Sequence, residues 1–148
     1  MRSFEIENVK RFTSALFASE LFDTFCVTQA SFTTDFTISV DGHLTGDEDN
    51  CATWGKIRPL AYEILKGDKL PARFKIVLMT PPKKVEGFLR KSDLAIEPSQ
   101  VAGLFINVIF EKDSLVCTTG TALSSFSLDK SVENAWDDSV ETFLRKFA

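Results

Sequence analysis

The sequence predicts an α+β domain built mostly from antiparallel strands, and three observations carry that expectation. Period-two apolar alternation and helical apolar stripes are mixed along the chain without strict β-α-β alternation. The two halves repeat one order of elements: a strand, a short helix, then antiparallel strands. The chain closes on a long amphipathic stripe. With 148 residues it can bury about two-thirds of the surface its unfolded form exposes, enough for a core without a disulfide or metal. Its 14 Phe against 2 Trp and 1 Tyr point to a core of rigid rings rather than an aromatic surface.

Ser3-Phe4-Glu5-Ile6-Glu7 alternates as a strand does. Asn8 then caps a helix to about Ala18, with Val9, Phe12, Leu16 and Phe17 at helical spacing. Thr24 to Val40, rich in Phe, Thr, Val and Ile, reads as antiparallel strands with breaks near Ala30-Ser31 and Thr34-Asp35. Asp41-Gly42 is a tight-turn dipeptide, and a polar loop runs from Gly46 to Asn50. The next helix is expected to start near Pro59, since proline suits the first helical position, and to end at Gly67; Trp54 and Ile57 pack its entrance. Arg73 to Met79 is a strand, stopped by Pro81-Pro82, which opens a short helix from Lys83 to Lys91. After a loop through Pro98, Leu104 to Phe110 and Ser114 to Thr119 flank the turn Glu111-Lys112-Asp113 as a hairpin. Thr121 to Leu128 supplies one more strand. Asp129 caps a last helix from about Lys130, with Val132, Trp136, Val140, Phe143, Leu144 and Phe147 on one stripe that docks on the core.

Several chemistries have nothing to stand on. No G-x-x-x-x-G-K-[ST], G-x-G-x-x-G or G-x-S-x-G occurs. Cys26, Cys51 and Cys117 are odd in number and far apart, so reduced thiols are expected. His43 is the single histidine, which excludes multi-His metal sites. A Cys117–His43 dyad stays open as an enzymatic alternative, together with carboxylates near His43. Asp47-Glu48-Asp49-Asn50 lacks the ligand alternation of a calcium loop and reads as a solvated loop. No cofactor is implied. There is no apolar run of about 20 residues and no apolar leader in the charged stretch Met1 to Lys10, so a cytoplasmic protein without a membrane role is expected.

The internal repeat is clearest in the helices. Val9-Lys10-Arg11-Phe12-Thr13-Ser14-Ala15-Leu16 aligns without gaps on Pro82-Lys83-Lys84-Val85-Glu86-Gly87-Phe88-Leu89. Phe4-Glu5-Ile6-Glu7 likewise matches Phe74-Lys75-Ile76-Val77. Two β-α-βββ units result, about residues 1–67 and 72–128, with a C-terminal helix over 129–147 in a single domain. This order resembles one domain of the sliding DNA clamps. Arg73 to Leu128 is the closer copy, particularly Gly103 to Phe110 followed by Leu115 to Gly120. Over its whole length the chain also resembles an uncharacterised family of short bacterial proteins of unknown function. Clamps join two or three such domains per chain and close a ring, whereas this chain has room for one; an oligomer is possible but not required.

The acidity is unevenly spread. The formal charge is −4 with a pI near 5.0, which argues against a nucleic-acid binder as a whole. Residues 1–91, however, hold 13 basic and 12 acidic side chains, and residues 92–148 hold 4 and 9. At about 100° per residue, Lys83, Lys84, Arg90 and Lys91 share one side of their helix with Gly87 between them, opposite Val85, Phe88 and Leu89. Lys10, Arg11 and Ser14 likewise oppose Val9, Phe12 and Leu16. Point charges around a small residue suit a phosphate backbone, contacted without reading bases. The leading expectation is a non-enzymatic clamp-like binding module that uses these eight residues on nucleic acid or a partner protein. The alternatives are a protein–protein adaptor with merely solvated basic helices, and a small enzyme using Cys117 or His43.

Overall fold

The computed structural model describes residues 1–44, 51–65 and 71–148. The elements are β1 (Ser3–Glu5), α1 (Val9–Ala18), β2 (Cys26–Thr33), β3 (Thr37–Asp41), β4 (Ala52–Thr53), α2 (Trp54–Leu65), β5 (Arg73–Met79), α3 (Pro82–Lys91), β6 (Val101–Glu111), β7 (Ser114–Leu123) and α4 (Ser131–Leu144). The described strands form one sheet in the order β1-β7-β6-β5-β2-β3, with β4 paired to β2 and every pairing antiparallel. The α+β class with mostly antiparallel pairing is therefore the fold.

Strand alternation decides which side becomes core. Phe74, Ile76 and Leu78 of β5, Leu104, Ile106, Val108 and Phe110 of β6, and Leu115, Cys117 and Thr119 of β7 are all buried. They share one face because the register pairs Phe74 with Phe110, Ile76 with Val108, and Val108 with Cys117. Helix α1 lies on this face, where Phe17 meets Phe74 edge-on at 5.3 Å and also contacts Phe32 and Trp54. Helix α4 lies there too, its buried Asp137 accepting a hydrogen bond from Thr119. Phe147, just past α4, packs against Phe12 of α1. The Phe-rich composition is thus used as expected, each edge-to-face pair adding about 0.5–1.5 kcal/mol beyond simple burial.

Local signals are obeyed where nothing tertiary competes. Asn8 accepts the backbone N–H of Arg11 at 3.1 Å and caps α1. Lys112 and Asp113 take positive φ in the β6–β7 turn, as a two-residue hairpin requires. Asp129 accepts the N–H of Ser131 from one residue ahead of the N-cap, which is Lys130 and not the expected Asp129.

Four expectations are corrected. The strand break near Ala30-Ser31 does not occur: β2 is continuous because Ala30 sits buried opposite Ile76, and the break falls only after Thr33. Helix α2 begins at Trp54, not near Pro59, which lies inside it. Trp54 is fully buried, donates its indole N–H to the Leu16 carbonyl at 2.7 Å and its backbone N–H to Phe25, while Arg58 grips Asp23 at 2.8 and 3.0 Å. These tertiary contacts outweigh the hydrogen bond that Pro59 cannot make. Thr121 to Leu128 is not a separate strand: β7 runs on through Leu123, and the serines that follow turn the chain out, Ser124 bonding to Ser99 and Gln100. The second unit therefore lacks the third strand that the repeat called for. Finally, Cys26 and Cys51 are not free thiols but a disulfide, brought within 5.6 Å between Cα atoms by the β2–β4 pairing. The polar run 47–50 and the helix end at Gly67 lie outside the described residues.

Candidate functional site

Helix α3 is pinned from one side. Val85 and Leu89 are buried, and Phe88 meets the Trp136 ring edge-on at 5.5 Å. The opposite side is solvent-facing: Lys83, Lys84, Gly87, Arg90 and Lys91 are all exposed. Arg90 reaches back to Glu86 at 3.0 Å, a surface pair one turn apart that is cheap to break. Around Gly87 there is open space: apart from its chain neighbours and the backbone of its own helix, no atom of the described residues lies within 4 Å of where a Cβ would stand.

Helix α1 presents Lys10, Arg11 and Ser14, all exposed, while Phe12, Leu16 and Phe17 are buried. Its main helical neighbour is α2. Lys10 and Ser14 border a hollow of about 620 Å³ shared with Tyr62 and Leu65 of α2, and with Phe74 and Phe110 of the sheet. Helix α4 touches α3 through Trp136, and the turn just past α4 touches α1 through Phe147. The five α3 residues thus form one surface, and the three α1 residues another beside α2.

The His43 region is built differently from the tight turn expected at Asp41-Gly42. Asp41 ends β3, Gly42 donates to the Thr28 carbonyl at 3.1 Å, and His43 pairs with Cys51 in an antiparallel bridge. Glycine is required at 42, since a Cβ there would stand 1.7 Å from the Val27 carbonyl oxygen. Asp41 Oδ1 lies 2.7 Å from His43 Nδ1 and accepts the His43 backbone N–H at 3.0 Å. The backbone N–H first, then the ring, holds the Asp41 carboxyl below its ordinary value. Asp41, His43 and Cys51 line a hollow of about 800 Å³ that continues past Gln29, Met79 and Phe105 to Pro82, the first residue of α3.

Cys117 has no part in this hollow. It is fully buried in β7, paired across the sheet with Val108, and burial pushes its thiol up to about 12. The Cys117–His43 dyad is therefore not assembled. The cysteine paired with His43 is Cys51, half of the disulfide to Cys26; the missing signal was the strand pairing that joins residues 25 positions apart. Phe126 and Leu128 stand 89% and 83% exposed in the segment before α4, whereas both tryptophans are buried. No helix among the described residues is long and apolar enough to cross a membrane.

No curated protein and no solved structure matches the chain. The profile of a family of unknown function, DUF5721, matches residues 15–148, a span that holds α3 and the His43 hollow and leaves Lys10, Arg11 and Ser14 outside. The chain belongs to this family of unknown function.

Proposed function

We propose that the protein is a binding module that holds the phosphate backbone of nucleic acid, without reading its sequence, on the basic face of α3. Gly87 is the observation that carries this reading. A glycine inside a helix costs roughly 0.5–1 kcal/mol relative to alanine, and inside this chain nothing needs its smallness, since a Cβ would meet open space. It lies in the middle of Lys83, Lys84, Arg90 and Lys91, where a missing side chain lets a phosphate strand approach the helix while the cations replace its counterions. Lys10, Arg11 and Ser14 form a separate, secondary basic face. The exposed Phe126 and Leu128 favour the adaptor as second reading.

A gel-retardation titration with duplex DNA of arbitrary sequence at low salt tests the proposal. Binding is expected, weakening steeply as salt rises and unaffected by base composition. Reversing Lys83, Lys84, Arg90 and Lys91 to Glu should abolish it. Undiminished binding by that variant removes α3 as the contact, and absence of wild-type binding at low salt leaves the adaptor as the better reading.

A further inference from the structure

A core of this size needs no covalent staple, yet the chain carries one at the β3 side of the sheet, beside a histidine–carboxylate pair and against an open hollow. Residues directly opposed in an antiparallel bridge project their side chains to the same side, so His43 and Cys51 share one face. Asp41, two residues earlier, shares it as well and holds the ring. An ionised carboxylate only accepts hydrogen bonds. Nδ1 therefore carries the ring proton of the neutral imidazole, and Nε2 is its basic nitrogen. Cys51, only 4% exposed, lines the hollow, and Cys26 is wholly buried and does not line it. A volume of about 800 Å³ lies within the range of small-ligand sites. Every other described side chain lining the hollow is uncharged.

We infer that Asp41, His43 and Cys51, with Cys26 as second thiol, form a site of thiol–disulfide exchange with a low-molecular-weight disulfide, for which oxidised glutathione serves as probe. Starting from the dithiol, the Cys51 proton passes to His43 Nε2. The thiolate attacks one sulfur of R–S–S–R, a Cys51–S–S–R bond forms, and the departing R–S⁻ takes the proton from the imidazolium. The Cys26 thiol then attacks Cys51 Sγ, closing the protein disulfide, and its proton passes to the departing R–S⁻, which leaves as the second R–SH. Two electrons pass from the protein dithiol to the small disulfide, which leaves as two thiols. The reverse sequence, begun by a small thiolate at Cys51, opens the bond again. His43 acts as base and Asp41 as its positioning residue.

The test uses the full chain, reduced with dithiothreitol, desalted and mixed with oxidised glutathione, with acid-quenched samples mapped by mass spectrometry. Cys26→Ala is expected to accumulate a glutathione mixed disulfide at Cys51 alone, and Cys51→Ala to form none in its folded state, as judged by circular dichroism. His43→Ala should slow the first step near neutral pH by at least about tenfold, as the loss of a positioned base does. Asp41→Asn should slow it in the same direction, and all rates should converge at alkaline pH, where solvent removes the proton. Equal rates at neutral pH in wild type, His43→Ala and Asp41→Asn overturn the inference, and so does glutathione on Cys26 or Cys117 of the folded chain. The readout involves no nucleic acid, so its failure and that of the α3 reading are distinguishable.

Discussion

Gly87 separates stability from use at the level of a single residue. It lies mid-helix in α3, exposed, and a methyl group there would touch nothing. Gly87→Ala is accordingly expected to raise stability by about 0.5–1 kcal/mol, seen as a higher urea midpoint with an unchanged slope. The same variant should weaken DNA retention on the proposed contact surface. A gain in stability with full DNA affinity would detach the glycine from binding. Gly42 is the contrasting case, because its Cβ would overlap the Val27 carbonyl and its smallness serves the fold. Cys117 shows burial deciding chemistry: with its thiol pushed up to about 12 it stays protonated at neutral pH and packs as a small apolar group.

At the scale of elements, α4 depends on its first turn. Asp129 accepts the Ser131 N–H, and that bond holds its carboxyl below the ordinary value of 3.8. A carboxyl depressed in the folded state contributes stability that is fully present above its unfolded value and is lost as pH falls through the folded one. The Ser131 amide, bonded to Asp129, and the Asn134 amide, which closes the first turn onto the Lys130 carbonyl, should therefore lose hydrogen-exchange protection below about pH 4, while the amides around Val140 keep theirs. Asp129→Ala should show the frayed pattern already at neutral pH. Helix α2 illustrates the opposite balance. Pro59 disfavours an interior helical position, but Trp54 and the Arg58–Asp23 pair fix the helix start five residues earlier. The sequence shows the proline; it does not show where the Trp54 ring finds its acceptor.

At the scale of the molecule, Trp136 ties three elements together, donating from its indole to the Phe105 carbonyl of β6 at 3.0 Å while its ring meets Phe88 of α3. Trp136→Ala is expected to cost about 3–5 kcal/mol and to unfold α3, α4 and the sheet in one transition, measured by chemical denaturation with parallel fluorescence-independent probes such as far-ultraviolet circular dichroism. A drop below about 1 kcal/mol would show that α4 docks independently of that ring. The sequence by itself determined the α+β class, the α1 cap at Asn8, the strand β5, the β6–β7 hairpin, the α4 stripe and the basic side of α3. Each of these follows from periodicity, capping or turn chemistry, which act over a few neighbouring residues. Only the tertiary structure decided that Cys26 meets Cys51, that His43 stands beside Cys51 rather than Cys117, that α1 sides with α2, and that β7 absorbs the start of the strand expected at Thr121. The physical reason is common to all four: strand register and helix docking join residues far apart in sequence, and no local propensity records which distant partner a side chain will meet.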